Sequence, residues 1–293
     1  MPSPEVDAMI QSLLSQPIVG APSLADERAG YDEMLKAVPL PADAVITANP
    51  IGDVPADWVS VAESKPSRAI LYVHGGGYVI GSHEGYREFA TRLARVCQAR
   101  VLVLGYRLAP ENPYPAAVND AVAAYQAIRA TPGVEQVAIA GDSGGGGLAL
   151  ATMLAIKQQH LPQADCGICM SPWTDLTISG ATAQPGAVED PMISLDRLKE
   201  MARDYASGSL EDPLVSPLMG DPAGLPPLYI AVGTREALLD DSRRFIDKAT
   251  AAGVTVETEI ADGLIHIWPV FPNLPESAET LRNIGQFADQ HLG

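Results

Sequence analysis

The sequence Gly141-Asp-Ser-Gly-Gly145 stands between two segments that together indicate the architecture of the chain. The apolar run 137–140 before it predicts a buried strand, and the Ala- and Leu-rich run 145–157 after it predicts a helix. A serine between the two lies on a sharp turn, where side chains two positions before or after it would collide with nearby backbone. The G-x-S-x-G pattern therefore predicts that Ser143 is a nucleophile whose hydroxyl stands above a sheet.

A glycine-rich turn of this kind could instead bind phosphate, or have no chemical role at all. A phosphate loop of the Walker type ends in Gly-Lys followed by Ser or Thr. Here the chain continues with Gly146, Gly147 and Leu148, so the lysine that would reach the phosphates is missing. The sequence favours a nucleophile over a phosphate-binding loop.

Strands and helices alternate along most of the chain. Predicted strands lie at 44–48, 58–61, 69–73, 101–104, 137–140, 166–170, 229–232 and 254–260. Predicted helices lie at 4–16, 23–36, 86–96, 116–129, 145–157, 194–205, 240–252 and 277–291. This order predicts one α/β domain over residues 1–293, with a mostly parallel central sheet and helices on both faces. The long Pro- and Gly-rich connection 175–225 predicts a lid.

Composition and charge exclude several classes of function. The chain has 293 residues, is 47% hydrophobic and carries a formal net charge of -17, which argues against nucleic acid as a partner. A run of about 20 apolar residues, as a membrane span needs, is missing, and so is the basic start of a signal peptide, so we expect a cytoplasmic protein. Cys166 and Cys169 form a C-x-x-C within an apolar strand; we expect core packing, with a redox or metal role as the alternative.

Backbone donors for a negatively charged oxygen are predicted where strand 69–73 ends. The motif His74-Gly-Gly-Gly77 follows it, and bare glycines leave their N–H groups open to a ligand. The same pattern supplies an oxyanion donor in lipases and esterases. We expect the N–H groups of Gly76, Gly77 and Gly144 to form the oxyanion hole, the last of them at a helix N-terminus.

Among the five histidines, His266 has the position expected for a catalytic base, after the last predicted strand and before the last helix. His74 precedes the nucleophile in the chain, so we expect it instead to hold the loop formed by Gly75, Gly76 and Gly77, the glycine loop. His160 and His291 are expected to be exposed, and His83 to be a surface or structural residue. The acid that orients the base should follow strand 229–232, where Glu236 comes first.

Asp240, which follows four residues after Glu236, is the rival acid, since either Asp or Glu can fix the imidazole tautomer. We expect Asp240 and Asp241 to lie in the next helix, where they could cap it or form a structural pair. Three aromatic residues are candidates for a hydrophobic substrate pocket, with core packing as the alternative for each. They are Tyr78, Trp173 and Trp268.

Taken together, these motifs resemble those of the bacterial hormone-sensitive-lipase-like (family IV) carboxylesterases of the α/β-hydrolase superfamily. The matching pieces, from about residue 68 to 270, are His74-Gly-Gly-Gly77, Tyr106-Arg-Leu-Ala-Pro-Glu111, Pro113-Tyr-Pro-Ala116, Gly141-Asp-Ser-Gly-Gly145, Ser216-Pro-Leu218, Gly224-Leu-Pro-Pro227 and the segments around Glu236 and His266. The family's acid segment usually reads D-P-L-x-D-E with its first Asp catalytic. Glu236 stands at that position here, and His266-Ile-Trp replaces the usual H-G-F.

The resemblance implies an α/β-hydrolase fold with a helical cap built from about residues 1–42 and 175–225. It implies a serine esterase that acts on short- to medium-chain acyl esters through an acyl-enzyme, without metal or organic cofactor. Homodimers through the edge strand 254–260 are frequent in the family.

Some relatives with a Glu acid resemble lactone hydrolases, and the same triad can cleave amides, so a lactone hydrolase and an amidase or deacetylase stay open as alternatives. The plant gibberellin receptor resembles the family but has lost the catalytic His. Because His266 is present here, a non-catalytic receptor is the least favoured alternative.

Overall fold

The computed structural model describes residues 2–15 and 23–293. Residues 1 and 16–22, which belong to the predicted cap segment 1–42, lie outside the described residues, as does the last residue of the predicted helix 4–16.

The described residues form one eight-stranded sheet in the order β1-β2-β4-β3-β5-β6-β7-β8. The strands are β1 (Val45–Ala48), β2 (Ala56–Ser60), β3 (Lys65–Val73), β4 (Ala99–Leu104), β5 (Gln136–Asp142), β6 (Cys166–Met170), β7 (Leu228–Gly233) and β8 (Val256–Ala261). β1 and β2 pair antiparallel, β2 pairs antiparallel with β4, and the strands from β4 to β8 run parallel. The predicted mostly parallel central sheet is confirmed.

Helices cover both faces of this sheet. They are α1 (Pro4–Leu14), α2 (Leu24–Lys36), α3 (Arg87–Cys97), α4 (Ala116–Arg129), α5 (Ser143–Gln158), α6 (Leu195–Ala206), α7 (Leu239–Ala251) and α8 (Pro275–His291). One core contains residues of α1, α3 and α8, and the other contains residues of α4 to α7. Because both faces are covered, the central strands β5, β6 and β7 are mostly apolar and almost entirely buried, whereas the last strand, β8, has no fully buried residue.

β3 begins four residues before the predicted strand 69–73. Its first residues, Lys65-Pro-Ser-Arg68, are polar and carry no apolar pattern, and the register with β4 shifts between Lys65 and Ala69. Arg68 is nevertheless buried, because its guanidinium donates to Asp289 and to the carbonyl oxygens of Cys97 and Gly293. Hydrogen bonds from Arg68 to the C-terminal residues thus anchor the start of a strand that hydrophobicity alone does not predict.

The cysteines and the helix lengths bear on two expectations from the sequence. Cys166 and Cys169 are buried in β6, and burial raises the pKa of both thiols to about 12. These thiols therefore stay protonated near neutral pH and pack as small apolar side chains. Among the helices in residues 2–15 and 23–293, none combines the length and the apolar character that a membrane crossing requires.

Candidate active site

Ser143 is the first residue of α5 and lies directly after β5, in a left-handed backbone conformation with φ of 53°. A Cβ atom on Gly145 would lie 2.2 Å from the carbonyl oxygen of Val73, and one on Gly141 would lie 2.3 Å from that of Gly145. Both positions therefore exclude a side chain unless the backbone moves. The glycines hold the turn against the end of β3, which brings Ser143 next to the glycine loop.

Three side chains from distant parts of the chain form an unbroken row of hydrogen bonds. The Ser143 Oγ lies 2.8 Å from Nε2 of His266, and Nδ1 of His266 lies 2.8 Å from Oε2 of Glu236. His266 is only 4% exposed and Glu236 is fully buried, so bulk water does not separate these groups. The structure brings together the three residues predicted as nucleophile, base and acid.

Opposing effects set the pKa of His266. Burial alone would lower it, but the hydrogen bond and the charge of Glu236, with further charges on Asp190 and Asp142, outweigh burial and raise the pKa above its ordinary value. An imidazolium that forms when His266 takes a proton is therefore stabilised where it lies.

Glu236 is fixed by more than the imidazole. Its Oε1 accepts from the backbone N–H of Gly233 at 2.5 Å and from the hydroxyl of Ser171 at 2.9 Å. Asp240 points elsewhere: its Oδ2 accepts from the N–H of Ala181 at 2.8 Å. Of the two acids considered from the sequence, the structure therefore places Glu236 against the base.

The glycine loop and the start of α5 lie side by side. Gly76 and Gly77 have positive φ values of 104° and 56°, and a Cβ on Gly76 would lie 2.2 Å from the carbonyl oxygen of Ile80. A Cβ on Gly144 would come within 3.0 Å of the Gly77 nitrogen. The backbones of Gly76, Gly77 and Gly144, predicted as oxyanion donors, thus converge next to Ser143.

His74 lies beneath this loop, away from the row of hydrogen bonds. Its ring stacks on those of Tyr86 and Tyr106, and its Nδ1 lies 2.8 Å from the carbonyl oxygen of Gly75. Burial lowers the pKa of His74 to about 4, so the ring is neutral near neutral pH. Tyr106, part of the segment that resembles the family, donates to the His74 carbonyl oxygen. These contacts fit a structural role in holding the glycine loop.

Asp142 is a buried acid at this site that the sequence analysis missed. Its carboxylate accepts from the hydroxyls of Tyr72 and Tyr86 and from the backbone N–H of Gly75. Burial raises the pKa of Asp142, although these three donors act in the opposite direction. A signal was present in the sequence: an acidic residue directly before the nucleophile, after an apolar strand, has to find partners in the interior. Through its bond from the Gly75 N–H, Asp142 connects the nucleophile turn to the glycine loop.

A cavity of about 350 Å³ opens onto Ser143 and His266. Its wall combines Trp173, the glycine loop, and side chains from the two segments predicted as a cap. The residues that these two segments contribute are Leu13, Glu27, Tyr31, Met34, Pro191, Met192, Ile193, Ser194, Arg197, Leu198 and Met201. The guanidinium of Arg197 in α6 pairs with the carboxylate of Glu27 in α2, with a shortest distance of 2.5 Å, and so joins the two segments.

Two of the three predicted pocket residues lie in the core instead of on this wall. The Tyr78 ring stacks on that of Tyr205 with centroids 3.8 Å apart, and its side chain is 1% exposed. Trp268 is fully buried and its Nε1 donates to the hydroxyl of Thr280 in α8. The expectation that Tyr78 and Trp268 line the substrate pocket is therefore wrong, because both side chains pack against neighbouring helices. Trp173 does line the cavity.

The chain is similar to known proteins in sequence and in fold. A family model described as alpha/beta hydrolase fold matches residues 70–270. An acetyl-hydrolase from Streptomyces hygroscopicus is 38% identical over 268 residues, which cover 89% of this chain and 88% of the relative. An esterase from Acinetobacter venetianus is 36% identical over 232 residues, covering 78% and 76% of the two chains.

The solved structures extend this similarity to the whole chain. The crystal structure of an esterase from the bacterial hormone-sensitive lipase family superposes with a TM-score of 0.95 at 38% identity and covers 100% of both chains. With this agreement in sequence and fold, the chain belongs to the hormone-sensitive-lipase-like esterases of the α/β-hydrolase superfamily and hydrolyses carboxylic esters.

Proposed function

We propose that Ser143, His266 and Glu236 hydrolyse short- to medium-chain acyl esters through a covalent acyl-enzyme. The observation that carries the proposal is the continuous hydrogen-bonded row from Ser143 to Glu236, which opens onto a cavity at its serine end. A nucleophile in reach of a base that is itself oriented by an acid is the arrangement that acyl transfer needs.

The proposed reaction has two steps. His266 takes the Ser143 proton through Nε2 while Oγ attacks the ester carbon, and the N–H groups of Gly76, Gly77 and Gly144 hold the oxyanion. His266 then gives the proton to the departing alcohol, which leaves an acyl group on Ser143. Water, deprotonated by His266, repeats the attack and releases the acid. Glu236 keeps the imidazole in the tautomer that accepts at Nε2 and stabilises the imidazolium.

Size and lining of the cavity support a small apolar acyl group. A volume of about 350 Å³ is at the lower end of the range typical of small-molecule pockets. Its wall includes Leu198 and Met201 of α6 and Met34 of α2, which offer apolar surface. We propose that segments 1–42 and 175–225 form the cap of a single α/β-hydrolase domain over residues 1–293, and that this cap limits acyl length.

Lactone and amide substrates are less favoured than open-chain esters, since the similar proteins are named esterases and acetyl-hydrolases. Comparing turnover of a phenyl ester, its anilide and a lactone of similar size orders the three. A pure receptor is disfavoured because His266 is present and in hydrogen-bond contact with Ser143.

Two further proposals concern assembly and location. The strand β8 lies at the edge of the sheet and exposes 44% of Ile260, which supports a homodimer through residues 254–260. The three cysteines are free thiols, which fits the reducing cytoplasm.

Ser143→Ala tests the catalytic assignment. We expect kcat for p-nitrophenyl butyrate to fall by roughly 10⁴–10⁶-fold, with Ser209→Ala, an exposed serine, unchanged as the control. Labelling of the folded protein with a fluorophosphonate, followed by peptide mapping, should mark Ser143. A Ser143→Ala variant with near wild-type turnover, or a label on another residue, would refute the assignment.

A further inference from the structure

We propose that Asp190 is a positioning residue that fixes the wall of the substrate cavity to the loop carrying the catalytic acid. Its Oδ1 accepts from the backbone N–H groups of Met192 at 2.8 Å and Ile193 at 2.9 Å, and both residues line the cavity. Its Oδ2 accepts from the N–H of Ala237 at 2.8 Å. One carboxylate thus spans two segments that are 47 positions apart in sequence. The inference rests on the proposed function of the site.

The contact with Ala237 matters because that residue follows Glu236 directly. Its N–H belongs to the peptide unit that begins at the Glu236 carbonyl, so the bond to Asp190 restrains the backbone at the point from which the acid side chain extends. Ala237 is 1% exposed, so water cannot readily replace a lost acceptor, and an unpaired N–H would push the loop to rearrange.

The carbonyl oxygen of Ala237, which belongs to the next peptide unit, is also hydrogen-bonded to segment 175–225. The hydroxyl of Thr182 donates to the Ala237 carbonyl oxygen at 2.8 Å and accepts from the N–H of Asp240 at 3.0 Å. Asp190 therefore binds the N–H of Ala237 and Thr182 binds its carbonyl oxygen, so both restrain the loop that carries Glu236. The neighbouring pair between Glu189 and Arg235 is largely exposed, with 68% of the Glu189 side chain accessible, and contributes little to this restraint.

Asp190 also adds a negative charge near the catalytic imidazole. The charged groups that bear on His266 are Glu236 in direct contact, Asp142 from β5 and Asp190 from the cap segment. Glu27 and Arg197 on the cavity wall neutralise each other as an ion pair. Removing the Asp190 charge should therefore destabilise the imidazolium, a change that a residue with only a loop-folding role would not produce.

Asp190→Asn distinguishes this coupling from local loop folding. Asparagine keeps an oxygen for the Met192 and Ile193 N–H groups and folds such turns as well as aspartate does. Its amide group would face the Ala237 N–H, donor against donor, and its side chain is neutral. Glu189→Gln is the matched control, since it removes one adjacent exposed carboxylate without touching these N–H groups.

We expect Asp190→Asn to lower kcat for p-nitrophenyl butyrate roughly tenfold, within the range that a small misplacement of a catalytic group costs. The acid limb of the kcat/KM profile should move to lower pH by roughly half a unit, as one partly screened charge would produce. Thr182→Val removes a restraint without a charge and should lower kcat with the acid limb unmoved. Rates are normalised to sites titrated with fluorophosphonate, so that a poorly folded fraction does not count.

Equal kcat and pH profiles for wild type, Asp190→Asn and Glu189→Gln would overturn the proposal, and so would an unaltered kcat in Thr182→Val if Asp190→Asn does not fold. A wild type without esterase activity, or an active Ser143→Ala, would instead refute the proposed function. The two failures are therefore separable in one series of measurements.

Discussion

Replacing Glu236 with Gln perturbs the carboxylate that orients the catalytic base and that accepts three hydrogen bonds. The Glu236 carboxylate accepts from Gly233 N–H and Ser171 hydroxyl through Oε1, and from His266 through Oε2. Glutamine has one acceptor oxygen and one donor amino group. Because the Gly233 N–H is a fixed backbone donor, the amide oxygen of Gln should turn towards it and the amino group towards His266.

The consequence is the wrong tautomer of the base. An amino group that donates to Nδ1 forces the imidazole proton onto Nε2. A protonated Nε2 faces Ser143 and cannot accept the Ser143 proton. The opposite amide orientation would set two donors, the amino group and the Gly233 N–H, against each other at a cost of about 1–3 kcal/mol. We therefore expect kcat to fall by roughly 10³–10⁴-fold, which is about 4–5.5 kcal/mol of transition-state stabilisation.

The assay is steady-state hydrolysis of p-nitrophenyl butyrate between about pH 5 and 9, a span that includes the pH range in which histidines ordinarily titrate. Since Glu236 raises the pKa of His266, the residual activity of Glu236→Gln should also show its acid limb at lower pH. Asp240→Asn is the control: its carboxylate binds Ala181, so kcat should stay within about threefold. Retention of more than about a tenth of kcat in Glu236→Gln, or a 100-fold loss in Asp240→Asn, would refute the assignment of the acid.

The remaining predictions concern stability and assembly. Burial and the charge of Asp175 raise the pKa of Asp241 from 3.8 to about 8, so this carboxyl stabilises the fold fully below about 3.8 and loses that contribution as the pH rises through about 8. Asp241→Asn keeps an acceptor for Thr174 and Asp175 N–H and lacks the titration, so its Tm should gain a few degrees on wild type between about pH 6 and pH 9; a constant gap would contradict this. Ile260→Lys at the edge of β8 should lower the dimer fraction in sedimentation velocity at least about tenfold, while Met219→Lys, at another exposed apolar residue, should not. A monomeric wild type would exclude that dimer.

The nucleophile turn, the glycine loop and the order of the triad could be predicted because each depends on local geometry. Gly141 and Gly145 are required by backbone approach, and Glu236 and His266 follow strands whose ends meet at one edge of a parallel sheet. A pattern of this kind survives without knowledge of side-chain packing. The sequence favours Glu236 as the acid without excluding Asp240. The structure separates the two, because Asp240 accepts from the N–H of Ala181 and Glu236 contacts His266.

The pocket could not be predicted in the same way, because its wall is assembled from segments far apart in sequence. Trp173 and Trp268 both lie close to catalytic elements along the chain, but only Trp173 faces the cavity. The Trp268 ring turns under α8, where Thr280 accepts its N–H, and no local pattern records that direction. Asp190 was missed for a similar reason, since its partner Ala237 presents only a backbone N–H.

The hydroxyl of Tyr31 in α2 lies 2.8 Å from that of Tyr86, which donates to Asp142 beside the nucleophile. Hydrogen bonds thus connect the N-terminal segment to the residue that precedes the nucleophile, and this segment is not structurally independent of the active site. Grafting this segment from one relative onto another would also replace one of these hydrogen-bonded hydroxyls. Engineers who recombine such enzymes at the boundary after α2 should therefore transfer Tyr31 and Tyr86 as a pair.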